Sequence, residues 1–517
     1  MDSRAVKPGD LFVALRGDAA DGHDFIDQAI RNGAVAVVVN ENHTDEIDRI
    51  SCIRLKDTRE SLSWIAAAFH DWPGRKLTVI GVTGTDGKTT TTNLIYHILL
   101  TAGIRAGMIS TVNAVIGEEI LDTGFHVTTP DAQDVQLYLA RMVQAGLTHV
   151  VLETTSHGWA QHRVDACEFD VAVVTNITHE HLDQHGSYEN YRAAKSRLFT
   201  SLARTVTKPS GNPRLSVINR DDSSYGFLSE IIETPIVTYG IDKDAMVKAE
   251  EVTFDGQGMN FYIVAEKTNL RVAIKTNLVG LYNVSNCLAA FSAAVYGLNI
   301  EPHLAAQGIM SLQSVPGRME QIDLGQDFIA IVDFAHTPNA LKVTLETARY
   351  MLDRSKNQST SSSSSAATNR KRVIAIFGSA GLRDREKRRI MAETSAKLAD
   401  LTVLTAEDPR TESLDTILEE MASGARAQGG LEGRTFWRVP DRGEAIRFGI
   451  RLAQPGDMVL YCGKGHEQSM CFGRREHIWD DRTAMRAALS EKLGIPGPSM
   501  PYLPTQDTPE TEWLLWK

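Results

Sequence analysis

The chain has 517 residues, 42% of them hydrophobic and 23% charged, which is ordinary globular composition at a length that needs two to four domains. A net charge of −11 argues against a general nucleic-acid or membrane-surface binder, and no apolar run is long enough to cross a bilayer. Cys52, Cys167, Cys287, Cys462 and Cys471 are scattered without a C-x-x-C pair, so they read as reduced thiols of a cytoplasmic protein with no zinc site.

Residues 1–75 alternate short elements. Strands are expected over 11–15 and 34–39, and helices over 24–32 and 61–69, with a boundary at Trp72-Pro73-Gly74. The apolar run 77–82 reads as a buried parallel strand. The turn Gly84-Thr85-Asp86-Gly87 then leads through Lys88, Thr89 and Thr90 into a helix. Strand, glycine turn, Lys-Thr and helix make a phosphate cradle: glycines let backbone N–H groups approach, Lys88 reaches the β/γ-phosphates, and the Thr89 hydroxyl suits Mg²⁺. The glycines fall at 81, 84 and 87, whereas the commoner spacing would put one where Val82 stands. A bare glycine-rich strand–helix turn is the competing reading, and the Lys-Thr pair decides for a nucleoside triphosphate.

Thr128 and Thr129 precede a helix expected over 134–145, and the strand 149–152 runs into Glu153. A carboxylate at the carboxyl end of a parallel strand beside a phosphate loop is where a Mg²⁺ ligand belongs. Thr155 and Arg163 follow. A strand over 171–174 leads into Asn176-Ile177-Thr178-His179-Glu180-His181-Leu182-Asp183, and Tyr191 to Ser196, with Lys195, reads as an amphipathic helix. His179, His181 and His185 offer zinc ligands, but the oxygen-rich surroundings favour magnesium. Residues 205–275 read as an antiparallel elaboration; Asn283 and Asn286 then open a helix over 287–296, where capping alone could explain Asn283.

A second boundary falls at Pro316-Gly317-Arg318, and the strand 329–332 ends in Asp333-Phe334-Ala335-His336. A helix is expected over 341–351, and the Ser-rich insertion 355–372 reads as a disordered surface loop. Three more strand ends carry motifs: 373–377 leads to Gly378 through Arg383, 401–404 to Glu407-Asp408-Pro409-Arg410, and 457–461 to Gly463-Lys464-Gly465-His466-Glu467. Residues 496–517 read as a loosely ordered tail.

The run Gly-Thr-Asp-Gly-Lys-Thr-Thr over 84–90 resembles the ATP loop of the Mur ligases, which add amino acids to the peptidoglycan precursor. Asp2-Ser3-Arg4 and Asp21-Gly22-His23 resemble the UDP-binding domain of the MurE type, where some tens of residues normally come before this motif; here it stands at the start. The pair formed by Glu407 to Arg410 and Gly-Lys-Gly-His-Glu over 463–467 is similar to that type as well. The resemblance covers nearly the whole chain, with its motifs in family order. It implies an α/β protein of three domains: a small UDP-binding α/β domain over 1–75, a central ATP-binding domain over 76–314 with a P-loop parallel sheet and helices on both faces, and a Rossmann-like amino-acid domain over 315–495, before the tail.

It also implies roles. Ser3 would line the UDP pocket, and Thr128, Thr129, Thr155 and Arg163 would face the muramoyl-peptide. ATP would lie on Gly84, Thr85, Asp86, Gly87, Lys88, Thr89 and Thr90, near Asn283, Asn286, Arg318, Asp333 and His336. Thr89, Glu153, His181 and Lys195, the last carbamylated by CO₂, would hold Mg²⁺; with Lys88, the last three form the catalytic set. Arg383 and Arg410 would bind the distal carboxylate of a diamino acid and Glu467 its distal ammonium, with Gly463, Glu407, Asp408 and Pro409 beside them.

The implied reaction is ATP-dependent amide formation between UDP-N-acetylmuramoyl-L-Ala-D-Glu and meso-diaminopimelate, L-lysine or L-ornithine, by a cytoplasmic monomer acting without nucleic acid or membrane. Leu382, Glu407 and Asp408 depart from the family's Asp, Asp and Asn. The added charge beside Arg410 is expected to hold that arginine away from a carboxylate, or to favour lysine or ornithine. A cyanophycin- or folylpolyglutamate-type ligase, a nucleotide-driven switch and a catalytically silent relative are the alternatives.

Overall fold

The computed structural model describes residues 2–17, 20–121, 129–178, 186–254, 258–265, 269–357 and 370–507. The chain divides into two compact units. One comprises Met1–Lys88, Ala102–Thr238 and Ser292–Asn299; the other comprises Thr89–Thr101, Tyr239–Phe291 and Ile300–Lys517.

In the first unit a small parallel sheet is ordered Leu11–Val13, Ala36–Asn40, Ser51–Leu55. Its middle strand buries Val37, Val38 and Val39 completely, as a continuous apolar run demands. The edge strand Ser51–Leu55 is largely exposed and carries no such run, which is why its sequence is silent. Asp57 accepts from the N–H groups of Arg59 and Glu60, so the helix Thr58–Phe69 starts before the expected 61.

The larger sheet of this unit places Leu215–Asn219, Val171–Val174, Thr78–Thr83, His149–Glu153 and Ala106–Ile109 side by side and parallel. Ala114–Ile116 and Glu119–Leu121 then continue antiparallel. Helices Ala132–Gln144 and Tyr188–Leu202 press on the sheet through glycines. A Cβ on Gly107 would lie 2.6 Å from the Met142 sulfur, and one on Gly81 would lie 2.5 Å from Leu198. On the other face Gly297 meets Val171 and Leu215. The carboxyl ends of the strands finishing at Val174, Thr83 and Glu153 are therefore neighbours. The stretch 205–275 holds more than the expected antiparallel elaboration, since Leu215–Asn219 is a parallel strand and Tyr225–Ile231 a helix.

The second unit contains the antiparallel meander Val247–Phe254, Met259–Ala265, Leu270–Thr276 and the helix Leu281–Ser292. Its other sheet is Rossmann-like. Ile329–Asp333, Met458–Cys462, Val373–Phe377, Leu401–Leu404 and Phe436–Arg438 run parallel in that order, with Glu320–Gln321 antiparallel at one edge. The first four of these strands end in the four C-terminal motifs, at the edge where open α/β sheets bind ligands.

Two further expectations are corrected. The helix Pro338–Asn357 runs on through the first three residues of the Ser-rich insertion, whose positions 358–369 lie outside the described residues. The stretch 496–507 is anchored: Leu503 is fully buried in the C-terminal core, and the Thr505 hydroxyl donates to Asp441 at 2.6 Å.

Candidate active site

In the first unit the phosphate loop is shaped by backbone that only glycine adopts easily. Gly84 has φ +151° and Gly87 φ +81°. A Cβ on Gly84 would fall 1.8 Å from the Thr175 hydroxyl oxygen. The next strand's end supports the loop: Thr85 N–H donates to the Asn176 carbonyl at 2.7 Å, and Asp86 N–H to the Asn176 side chain at 3.0 Å. The Lys88 ammonium donates to the Thr85 carbonyl at 2.7 Å, folded back over its own loop.

Glu153 is 1% exposed and sits at a strand end beside this loop. Thr111 donates to it twice, from its N–H at 2.9 Å and its hydroxyl at 2.8 Å. Lys195, which on its own reads as a helix-surface lysine, is 2% exposed. Its Nζ donates to the Gly84 carbonyl at 2.5 Å and lies over the Tyr191 ring. His181 and Thr128 lie outside the described residues.

Thr129, Thr155 and Arg163 come together. The Thr129 and Thr155 hydroxyls are 3.1 Å apart, and Arg163 donates to the Thr129 carbonyl at 2.6 Å while pairing with Asp131 at 3.3 Å. Thr155 also caps the short helix Ser156–Ala160. Far from being a surface residue, Arg163 has a side chain only 14% exposed. Ser3 is buried, its hydroxyl donating to Gln28 at 2.8 Å.

In the second unit Thr89 and Thr90 are buried at the start of their helix, and Arg318 donates to the Thr89 hydroxyl at 3.4 Å while stacking on Phe334. Asn283 and Asn286 are both buried; Asn286 donates to the Asn283 side chain at 3.0 Å. Asp333 accepts from Met319 N–H at 2.7 Å, Ala335 N–H at 2.9 Å and the Thr344 hydroxyl at 3.2 Å, which orders the loop that follows. His336 packs on Phe334, and burial followed by the field of Lys387 holds its pKa down to about 3, so it is neutral at pH 7.

The loops that follow three of the C-terminal strands form one cluster. Gly381 N–H donates to the Asp408 carbonyl at 3.0 Å, and Arg410 donates to the Gly381 carbonyl at 3.0 Å. Gly463 has φ +120°, and a Cβ there would fall 2.4 Å from Glu407 Oε2. That oxygen is buried and has no hydrogen bond among the described residues. Burial, only partly offset by the fields of Lys387 and Arg442, pushes the Glu407 carboxyl up to about 7.

The added acid at 408 is directed to a partner other than Arg410. Asp408 gives one oxygen to the Lys464 ammonium at 2.9 Å and the other to Cys471 N–H at 2.9 Å. Among the described residues neither Arg410 nor the exposed Arg383 pairs with a carboxylate. Pro409 is buried, and a Cβ on Gly381 would lie 2.0 Å from its carbonyl oxygen. A groove of about 770 Å³ between Arg385–Leu398 and Leu414–Ala427 holds none of these motif residues.

Residues 1–70 match the Mur ligase family catalytic domain, 82–294 the Mur ligase middle domain and 317–465 the Mur ligase glutamate ligase domain. The UDP-N-acetylmuramoyl-L-alanyl-D-glutamate–2,6-diaminopimelate ligase of Geobacillus thermodenitrificans is 38% identical over 492 residues, 95% of this chain and 94% of that one. The chain belongs to the Mur ligase family. The UDP-N-acetylmuramyl-tripeptide synthetase of Roseiflexus sp. is 39% identical over 503 residues, 96% of this chain and 94% of that one. Among solved structures, a UDP-N-acetylmuramoyl-L-alanyl-D-glutamate–2,6-diaminopimelate ligase is 29% identical with a TM-score of 0.62, covering 95% of this chain and 94% of the other. MurF of Thermotoga maritima in complex with ADP, at 20% identity, shares the fold with a TM-score of 0.58 over 89% of this chain and 92% of that one.

Sequence reasoning quoted Asn176 and Lys464 within motifs without giving them a role, and passed over other residues that shape the site of this Mur ligase. Thr111 holds Glu153, Asn176 holds the phosphate loop, and Lys464 links Asp408 and Glu467. Arg442 and Asp481, both fully buried, pair at 2.8 Å; Arg442 also donates to the carbonyls of Ala406 and Cys462, at the roots of two motif loops. Nothing local marks Thr111, Arg442 or Asp481; the lysine between two motif glycines was the one readable signal.

Proposed function

We propose that this Mur ligase is a cytoplasmic enzyme of peptidoglycan biosynthesis that joins meso-diaminopimelate to the D-Glu carboxylate of UDP-N-acetylmuramoyl-L-Ala-D-Glu, with ATP converted to ADP and phosphate. The observation that carries the choice of amino acid is the engagement of Asp408 by Lys464, which leaves Arg383 and Arg410 without a carboxylate partner among the described residues. Two guanidinium groups on loops pinned together by Gly381 suit the distal carboxylate of diaminopimelate, a group that lysine and ornithine lack.

Lys88 releases the Thr85 carbonyl to neutralise the β/γ-phosphates as the D-Glu carboxylate attacks the γ-phosphorus. The acyl phosphate then takes the amine of the amino acid, and the tetrahedral adduct collapses with loss of phosphate. Arg163, drawn in by Thr129 and Asp131, orients the muramoyl-peptide, and Ser3 belongs to the uridine end. Asn283, Asn286, Arg318, Asp333 and His336 serve the nucleotide. Thr89, Glu153, His181 and a carbamate on Lys195 would hold Mg²⁺, which when bound supplies positive charge opposite the phosphates. Thr111 keeps the Glu153 carboxylate oriented, and Tyr191 and the Gly84 carbonyl hold Lys195.

The test is phosphate release with ATP, Mg²⁺ and UDP-N-acetylmuramoyl-L-Ala-D-Glu, offering meso-diaminopimelate, L-lysine and L-ornithine separately. Release dependent on diaminopimelate is expected. Release with lysine or ornithine alone would reassign the substrate, and none with any of the three would defeat the reading.

A further inference from the structure

In the first unit, away from the phosphate loop, three side chains bring metal-donor atoms within 4.8 Å of one another. Glu60 stands on the helix Thr58–Phe69, and His162 and Asp165 on the loop after the helix Ser156–Ala160. The Asp165 side chain is only 8% exposed. Its Oδ2 meets His162 Nδ1 at 2.6 Å and accepts from Arg197 at 2.9 Å. Its Oδ1 is buried and has no hydrogen bond among the described residues. A carboxylate oxygen taken out of water without a donor is costly, and a bound ion is one of the few groups that can satisfy it. The Glu60 carboxylate is exposed and pairs with no cation among the described residues.

The surrounding charges favour a cation. Arg197, reaching in from the helix Tyr188–Leu202, offsets Asp165; it also donates to the Trp159 carbonyl at 2.6 Å and lies 3.2 Å from His162 Nδ1. Asp57 caps the helix of Glu60 and is balanced by Arg59, whose guanidinium donates to the Arg16 carbonyl at 2.6 Å. Arg163 is balanced by Asp131. With His162 neutral, the charge of Glu60 is left over. Ser63, one turn along the same helix, accepts from Ala166 N–H at 3.2 Å, so helix and loop are held together before any ion arrives.

We propose that Glu60, His162 and Asp165 form a site for a divalent transition-metal ion such as Zn²⁺, separate from the nucleotide's Mg²⁺. One imidazole and two carboxylates are a donor set that suits zinc better than magnesium, which prefers oxygen alone. The site uses no cysteine, so cysteine spacing could not have shown it. The ion fastens the helix Thr58–Phe69 to the loop that carries Arg163, joining residues about a hundred positions apart in the chain.

The test is calorimetric titration of the full-length protein with Zn²⁺, with Mg²⁺ in large excess to fill oxygen sites. The wild type is expected to take up Zn²⁺ with an affinity that falls by about a hundredfold in His162→Asn and about tenfold in Glu60→Gln. Asparagine tolerates the left-handed backbone at 162, where φ is +57°, and Glu60 is exposed, so both variants should fold. Zn²⁺ should also raise the melting temperature of the wild type and of neither variant. No Zn²⁺ uptake overturns the proposal. So does uptake that both substitutions leave unchanged, the result expected of metal held at a thiol or at the phosphate loop. Neither readout involves turnover, so failure of the ligase reading would leave this result standing.

Discussion

The ammonium of Lys195 donates to the carbonyl oxygen of Gly84 at 2.5 Å, tying the helix Tyr188–Leu202 to the phosphate loop. A lysine so placed either anchors that loop as a cation or, after addition of CO₂, turns a carbamate toward the phosphates. The second role predicts that Lys195→Ala lowers ligation by at least about a thousandfold with little change in melting temperature. It also predicts a carbamate resonance in ¹³C NMR of enzyme equilibrated with ¹³C-bicarbonate, absent from the variant. Near-normal turnover in Lys195→Ala would remove the residue from the chemistry.

Thr111 offers a subtler test, since its hydroxyl donates to the Glu153 carboxylate at 2.8 Å beside its own N–H at 2.9 Å. Thr111→Val keeps the volume and the backbone N–H bond but deletes the hydroxyl. Turnover at saturating Mg²⁺ should fall modestly, while the Mg²⁺ concentration for half-maximal rate should rise about tenfold, as for other groups that orient a metal ligand. An unchanged Mg²⁺ dependence would place Glu153 away from the metal.

The pH dependence of stability carries two opposite slopes. The folded protein holds the Glu407 proton up to about pH 7, whereas the unfolded chain releases it near 4.5, so this residue weakens folding as pH rises across that interval, by about 3 kcal/mol in full. Glu407→Gln removes the slope and should gain on the wild type between pH 5 and pH 8 in denaturant melts. His336 and His466 act the other way. Burial, followed by nearby cations, holds both to about 3, so the unfolded chain takes up protons first as pH falls below 6.5. Each should cost about 2 kcal/mol of stability at pH 5.

Asp481 accepts from Arg442 twice, from the Trp479 indole at 2.7 Å and from Gly465 N–H at 3.0 Å, with no exposure of its own side chain. Asp481→Ala would strand a buried guanidinium and is expected to destabilise the protein by about 3–5 kcal/mol. It should also loosen the Gly463-Lys464-Gly465 turn and so raise KM for the amino acid more than for ATP. A change below about 1 kcal/mol, measured by urea melts, would contradict the burial argument.

Sequence alone sufficed for whatever rests on local spacing. The phosphate loop could be read because glycines at 84 and 87 and Lys88 must stand at fixed offsets for backbone N–H groups to surround a phosphate. Buried strands such as Thr78–Thr83 and Val373–Phe377 could be read because strands covered on both faces are continuous apolar runs. Exposed or short strands, Ser51–Leu55 and Ala106–Ile109 among them, escaped because neither alternation nor length distinguishes them.

Tertiary structure decided what depends on partners far along the chain. Asp408 beside Arg410 in sequence looked like a competing charge, yet its side chain is taken by Lys464, fifty-six positions away. Lys195 looked like a surface residue until the loop at Gly84, one hundred and eleven positions away, covered it. Which partner a charge meets is set by how parallel strands align their carboxyl ends, and no local pattern of residues encodes that alignment.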